Sequence, residues 1–391
     1  MRIGVLGAGA MGTGIAQVAA VAGHPVVVAD ASAPAVAKAR ETIKRALTRE
    51  VEKGRMTQES ADAAIARIEG TPLEEGAGLR AFADCDLVIE AIVEDLGVKQ
   101  DAFARLEQAT PPGAILATNT SSLSVTAIAG RLARPGRVVG MHFFNPVPLM
   151  PLVEIIPGLA TDGEVTGAVR DLAGRWNKVP VVAKDTPGFI VNRVARPFYG
   201  EALRIYDEGL ASQATIDWAM RELGGFRMGP FELMDLIGND VNFAVTTSVF
   251  EAMFYDPRYR PSITQQRQVE AGLLGRKSGR GYFDYAEGAE RPPAQEDREI
   301  GQRIVDRIVA MLINEAADAL FLGIASGEDL DLAMTKGVNY PKGLLAWADE
   351  LGPATVLQRL EALQAEYGED RYRPSPLLRR LVKSRRMFFD E

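Results

Sequence analysis

The sequence predicts an α/β domain built on a mainly parallel sheet, followed by an all-helical domain duplicated in tandem. Three features lead there. Over the first 185 residues, short β-branched runs alternate with longer helical patterns, the rhythm of strands joined by crossover helices. After Lys184-Asp185-Thr186-Pro187-Gly188 the strand patterns almost vanish, and helical periodicity continues to Glu391. Within that second half, residues 201–238 align without gaps on residues 315–352. Eleven of those thirty-eight positions are identical, among them Glu201/Glu315, Ser212/Ser326, Asp217/Asp331, Gly229/Gly343 and Asp235/Asp349. Chance gives on the order of three matches, so a duplicated helical unit is the better explanation.

The elements follow in order. Strands are expected at Arg2–Leu6, Pro25–Ala29, Asp86–Ala91, Ala114–Ala117 and Arg137–Met141. Two more are expected at Leu152–Ile156 and Val179–Ala183, around a helix near Glu164–Trp176. Each is an apolar, largely β-branched run of strand length. From Ala33 to Ile68 the chain is charged and helical in pattern. Ile43, Leu47 and Val51 recur every four residues, with Lys44, Arg45, Arg49 and Lys53 interspersed. Gly54 ends one helix and Thr57 caps the next, which makes a helical hairpin. Arg291-Pro292-Pro293 separates the two helical copies. The expected domains are therefore residues 1–185, with the hairpin at 33–68, then 186–290 and 291–391.

Apolar residues make up 47% of the 391 and charged residues 25%, which excludes a disordered, collagen-like or coiled-coil chain. Asp and Glu (52) outnumber Lys and Arg (44), which argues against a non-specific nucleic-acid binder. Any anionic ligand must then be held by local cations. The one cysteine, Cys85, rules out an intramolecular disulfide framework and a multi-Cys zinc site, and no metal is expected. The N-terminus enters an apolar strand at once, without a leader pattern. The longest apolar stretch, Ile15 to Ala29, is broken by Gly23, His24 and Pro25. A soluble cytoplasmic protein with no membrane partner is expected.

Gly7-Ala8-Gly9-Ala10-Met11-Gly12 follows a strand and opens an amphipathic helix carrying Ile15, Val18, Ala19 and Ala22. Gly7 permits the tight turn, Gly9 lets the backbone approach a pyrophosphate, and Gly12 lets the helix pack on the strand. The acid expected about twenty residues on is Asp30, at the end of the second strand. A carboxylate there accepts from a ribose 2′-hydroxyl and repels a 2′-phosphate. The cofactor read from these residues is NAD, on a Rossmann-type domain.

Two histidines are present. His24 lies in the turn Ala22-Gly23-His24-Pro25 and reads as a surface turn residue. His142 ends the strand expected at Arg137–Met141, where a parallel strand faces the ligand crevice. A dehydrogenase acting on an alcohol needs a base for the hydroxyl proton, and imidazole titrates near neutrality. Glu154 interrupts the apolar run Leu152-Val153-Glu154-Ile155-Ile156. A carboxylate in a buried strand needs a partner, and a short connection brings it back beside His142. The alternative is a strand-edge acid in solvent.

The chain resembles the 3-hydroxyacyl-CoA dehydrogenase family over nearly its whole length. GAGAMGTGIAQVAA, IEAIVED, ATNTSSLS, MHFFNPVPLMPLVEII, DTPGFIVNR, MGPFELMDLIG and LGRKSGRGYFDY stand in the family's order. The resemblance implies an NAD-binding domain followed by a helical domain of the 6-phosphogluconate-dehydrogenase C-terminal kind. It also implies reversible oxidation of an L-(S)-3-hydroxyacyl-CoA to the 3-ketoacyl-CoA. On the matching motifs, His142 is the base or acid and Glu154 its orienting partner. Ser121 of NTSS bonds near the substrate oxygen beside the nicotinamide, and Asn192 of FIVNR holds the polarised carbonyl or hydroxyl. For the cofactor the resemblance implies Gly7, Ala8, Gly9, Ala10, Met11, Gly12, Asp30, Glu94, Lys99, Ser121, Asn145 and Lys277. Lys53 of VEKG matches a lysine that contacts the CoA phosphates, while Ala46 stands where the family has a serine. Lys44, Arg45 and Arg49 are then either compensating cations or a solvated helix face.

Short members of that family pair one helical domain with its twin across a dimer interface. Here the second copy is expected to take the twin's place within one chain, giving an internal pseudo-dimer that is monomeric, or else a homodimer. It is assigned packing, because Asp306 stands where the first copy has Asn192. Two other readings stay open at this point. One is a dehydrogenase of a CoA-free 3-hydroxy acid, like gulonate-dehydrogenase and lens-crystallin relatives. The other is a non-catalytic NAD-binding protein. The charged hairpin favours CoA, and the joint presence of Ser121, His142, Glu154 and Asn192 favours catalysis. A separate hydratase activity is not expected.

Overall fold

In the computed structural model, which describes residues 1–73 and 79–390, the N-terminal strand patterns assemble into one eight-stranded sheet. The elements of this unit, Met1–Phe189, begin β1 (Ile3–Leu6), α1 (Ala10–Val21), β2 (Val26–Asp30), α2 (Ala33–Glu52), α3 (Gln58–Ala66) and β3 (Ile68–Pro72). They continue β4 (Leu87–Glu90), α4 (Leu96–Ala109), β5 (Ile115–Thr118), α5 (Val125–Ala129), β6 (Val138–Phe143), β7 (Leu152–Pro157), α6 (Gly163–Arg175) and β8 (Val179–Val182). Across the sheet the order is β3-β2-β1-β4-β5-β6-β7-β8. Neighbours are parallel except β6 and β7, which run antiparallel. Every residue of β1, β4 and β6 is buried, which is why these strands read as continuous apolar runs.

Two expectations need correction. β3 was not expected, because Ile68 alone among its residues is fully buried and hydrophobic patterning has nothing to report. It is an edge strand held beside β2 by backbone pairing, and Ile68 opens it rather than closing the hairpin. β6 also runs on to Phe143, so His142 lies inside the strand, because β7 keeps pairing with it as far as Phe143↔Val153. The hairpin itself forms as α2 and α3. The Thr57 hydroxyl accepts from Ser60 N at 3.2 Å, and α2 turns Val36, Ala39, Ile43 and Leu47 into the core.

The second unit, Ile190–Glu391, is helical. Its first part holds α7 (Val191–Val194), α8 (Arg196–Asp207), α9 (Gln213–Trp218), α10 (Pro230–Ile237), α11 (Asn239–Ala252) and α12 (Ile263–Glu270). The rest holds α13 (Arg298–Phe321), α14 (Gly327–Gly337), α15 (Leu344–Leu351), α16 (Pro353–Tyr367) and α17 (Pro376–Ser384). The aligned segments carry the same devices. Ser212 and Ser326 cap α9 and α14. Asp217 accepts the Phe231 and Glu232 amides at the head of α10, and Asp331 accepts the Leu345 and Ala346 amides at the head of α15. Asp235 accepts from Tyr282 N and Phe283 N, and Asp349 from Phe388 N and Phe389 N.

The two parts of this unit also exchange ion pairs reciprocally. Arg193 Nε donates to Glu315 at 2.7 Å, and Arg307 Nε donates to Glu201 at 3.0 Å. The Tyr259 hydroxyl sits on Glu315 and the Tyr372 hydroxyl on Glu201. An isologous interface has this reciprocal form, residue i on j and j on i. Among the described residues no helix is long and apolar enough to cross a membrane.

Candidate active site

The parallel strands deliver their C-terminal ends, and the loops after them, to one edge of the sheet, where ligands bind in open α/β folds. At the β1 end, Gly7 has φ of 108°, and a Cβ on Gly12 would lie 1.9 Å from the Gly7 carbonyl oxygen. Helix α1 therefore reaches the turn only because glycine stands there. Amides at the head of α1 have no partner within the helix, and Ala10 and Met11 are exposed to different degrees. The Ala8 amide faces the other way: it donates to Asp30 Oδ2 at 2.8 Å, while Ser32 N donates to Oδ1 at 2.8 Å. The Asp30 carboxylate is thus fixed at the end of β2 with lone pairs left for a ribose diol. It lines a cavity of about 660 Å³ together with Gly7, Gly9, Ala31 and Ile92. A glycine cradle, unpaired helix amides and an anchored acid beside such a cavity fit a dinucleotide.

Glu94, after β4, organises the next loop. It accepts from the Thr120 hydroxyl at 2.6 Å, from Ser121 N at 2.9 Å and from Ser122 N at 3.2 Å. Burial pushes its carboxyl up, but the Thr120 hydroxyl, Lys99 and the Ser121 amide outweigh this and hold it below the ordinary carboxylate range. Lys99 was expected to contact the cofactor. It is 1% exposed, and its ammonium lies 2.5 Å from Glu90 and 3.3 Å from Glu94. A side chain buried this deeply has been drawn into the sheet by two acids.

His142 and Glu154 are directly opposed in the β6–β7 register, and Nδ1 lies 2.6 Å from Oε2. Both are buried, at 6% and 0% exposure. A carboxylate only accepts, so donor–acceptor matching places the hydrogen on Nδ1 and leaves Nε2 as the basic nitrogen. Phe144 and Phe189 hold the ring, with centroids at 4.5 and 5.8 Å. Asn119 Oδ1 accepts from Phe143 N at 2.9 Å, which ties the loop carrying Ser121 to the strand carrying His142.

A second cleft, of about 530 Å³, opens beside the hairpin. Arg49, Lys53, Met56, Leu149, Arg175 and Trp176 are among its lining residues, and Ala46 is there too. Arg45 instead pairs loosely with Glu41 on an exposed face, and Lys44 lines a separate depression. Asn145, exposed, lies in the β6–β7 connection, whose Pro146 and Pro148 line this cleft. Lys178 fastens that connection, donating to the Val147 carbonyl at 2.5 Å and the Met150 carbonyl at 2.8 Å. Burial pushes the Lys178 ammonium down to about 8.

Comparison with known proteins now fixes the family. The model of the 3-hydroxyacyl-CoA dehydrogenase NAD-binding domain matches residues 2–186, and that of the C-terminal domain matches residues 188–285 and 304–388. The chain belongs to the 3-hydroxyacyl-CoA dehydrogenase family. It is 41% identical to the 3-hydroxyadipyl-CoA dehydrogenase of Escherichia coli K12 over 96% of each chain. It is 43% identical to a probable 3-hydroxybutyryl-CoA dehydrogenase of Deinococcus radiodurans, over 73% of this chain and 100% of that one. The crystal structure of a 3-hydroxybutyryl-CoA dehydrogenase from E. coli K12 superposes with a TM-score of 0.92 at 40% identity, covering 98% of this chain and 99% of the other. This chain is accordingly an NAD-dependent 3-hydroxyacyl-CoA dehydrogenase with a Rossmann-type domain and a helical C-terminal domain.

Of the residues expected in this dehydrogenase's site, Asn192 and Lys277 belong to the helical unit. Asn192 stands in α7, and the Lys277 ammonium lies 2.7 Å from Asp240 Oδ2. Glu90, Asn119 and Lys178 were not singled out from sequence. Glu90 carried the signal that marked Glu154, an acid closing the apolar run Leu87-Val88-Ile89. The other two act through backbone groups and leave no pattern to read.

Proposed function

We propose that this dehydrogenase oxidises the C3 hydroxyl of L-(S)-3-hydroxyacyl-CoA thioesters with His142 as general base and Glu154 as its positioning partner. The buried 2.6 Å contact between them is the observation that carries this reading. In it, the substrate hydroxyl donates to His142 Nε2, and its proton moves there as the C3 hydride departs. NAD, when bound, accepts that hydride. Glu154 stabilises the imidazolium and keeps Nε2 aimed at the oxygen. In the reverse direction the imidazolium returns the proton to the ketone oxygen. Ser121 and Asn192 donate to the same oxygen as its charge changes.

Lys99 is a positioning residue in this scheme, holding Glu94 and through it the Ser121 loop. Asp30 takes the ribose hydroxyls, with Asn145 and Lys277 the remaining cofactor contacts. Lys53, with Arg49 and Arg175 on the same cleft, receives the CoA phosphates. The named substrates of the relatives differ at the acyl end, since adipyl carries a second carboxylate and butyryl none. The C3 chemistry is common to both.

NADH absorbance tests the reading. (S)-3-hydroxybutyryl-CoA is expected to be oxidised with NAD, and NADP to support roughly 100-fold lower kcat/KM because Asp30 repels its 2′-phosphate. Faster turnover of free 3-hydroxybutyrate than of its thioester contradicts it. We also propose that the second helical copy replaces a twin subunit, a reading supported by the reciprocal Arg193–Glu315 and Arg307–Glu201 pairs. Light scattering is expected to give the monomer mass, and a stable dimer through the first copy contradicts the proposal.

A further inference from the structure

Arg196 follows Asn192 by four residues, and Ala195 between their helices keeps right-handed helical backbone. The two side chains therefore project from one helix face, one turn apart. Arg196 is 7% exposed, and among the described residues it pairs with no acid. Its Nη1 donates to the Thr246 hydroxyl at 3.1 Å, its guanidinium lies 5.0 Å from the centre of the Tyr199 ring, and its Nε is buried without a partner. Burial pulls the group below its ordinary value, opposed only by the Tyr199 and Tyr340 phenols.

The other arginines buried this deeply in the helical unit are all compensated. Arg193 sits on Glu315 and Asp318, Arg307 on Glu201 and Glu208, and Arg371 on Glu369. An uncompensated buried cation destabilises the fold, so it is retained for something it meets in use. The Nε edge of a guanidinium is the side that grips a carboxylate with two parallel hydrogen bonds.

We propose that Arg196 recognises a carboxylate at the far end of the acyl chain, making dicarboxylic 3-hydroxyacyl thioesters the preferred substrates. This rests on the reading above, in which Asn192 holds the C3 oxygen. Four residues of helix, about 6 Å of rise, separate the two Cα positions, and an acyl chain of about six carbons places its distal carboxylate three bonds beyond C3.

The test compares two thioesters of equal length, 3-hydroxyadipyl-CoA and 3-hydroxyhexanoyl-CoA. For the wild-type enzyme, kcat/KM is expected to favour the dicarboxylate by about 30-fold or more, the worth of a hydrogen-bonded charge pair. Arg196→Gln is expected to remove most of that ratio, and Arg196→Lys to keep part of it. A wild-type ratio of one or below overturns the proposal without any variant having to fold. So does a ratio that Arg196→Gln leaves unmoved, which assigns Arg196 to packing against Tyr199. Failure to oxidise either thioester instead removes the underlying dehydrogenase reading.

Discussion

His142→Gln is expected to lower kcat for 3-hydroxybutyryl-CoA oxidation by about three orders of magnitude while KM moves little. Glutamine is the informative replacement. Its amide keeps a neutral polar group of similar reach beside Glu154, and the NADH affinity and circular dichroism report whether the strand pair keeps its shape. What is lost is a nitrogen that takes up a proton. An alanine here would confound that loss with an unpaired buried acid, which is itself strongly destabilising. Circular dichroism and the NADH affinity of the variant should match wild type, because His142 lies on β6 while the glycine turn and Asp30 lie on β1, α1 and β2. A kcat within a few-fold of wild type removes His142 from its role.

Glu154→Gln is the second large effect, expected to lower kcat by roughly 10³-fold through the imidazole tautomer. The wild-type carboxylate only accepts, and it sits 2.6 Å from Nδ1. A carboxamide that donates to Nδ1 moves the ring hydrogen to Nε2, where the substrate proton has to go. The loss should fall on kcat alone and leave the Kd for NADH unchanged. Glu154→Asp keeps the charge and is expected to restore part of the activity. Equal losses in kcat and cofactor affinity point instead to a collapsed β6–β7 pair.

The site was legible where buried polar chemistry breaks an apolar pattern. Glu154 inside Leu152-Val153-Ile155-Ile156 demanded a partner, and the register supplies His142 directly across the antiparallel pair. The glycine turn and Asp30 were legible because close backbone approach admits few residue types. The burial of Lys99 was not legible, because a motif match says nothing about burial. Its ammonium is turned inward by Glu90, and that acid is visible only once β4 is seen to be buried throughout. β3 escaped for the opposite reason, an edge strand with little to bury. Arg196 escaped as well, since an arginine in a helix reads as surface until its burial is seen.

The helical half was legible through its periodicity, and the internal identities fall on matching local devices. Identities such as Asp217/Asp331 and Asp235/Asp349 are positions where a carboxylate receives two successive backbone amides, a job few side chains do. The exchange of Arg193 and Arg307 between Glu315 and Glu201 was not legible, since it depends on how the copies pack.

The central claim is that one imidazole receives the C3 hydroxyl proton as hydride leaves. Its most direct measurement is the single-turnover rate of NADH formation from (S)-3-hydroxybutyryl-CoA with NAD in excess, for wild type beside His142→Gln, together with the NADH Kd of each. The expected first turnover is about 10³-fold slower in the variant, with NADH affinity unchanged. A first turnover within a few-fold of wild type contradicts the claim and assigns the proton to another group.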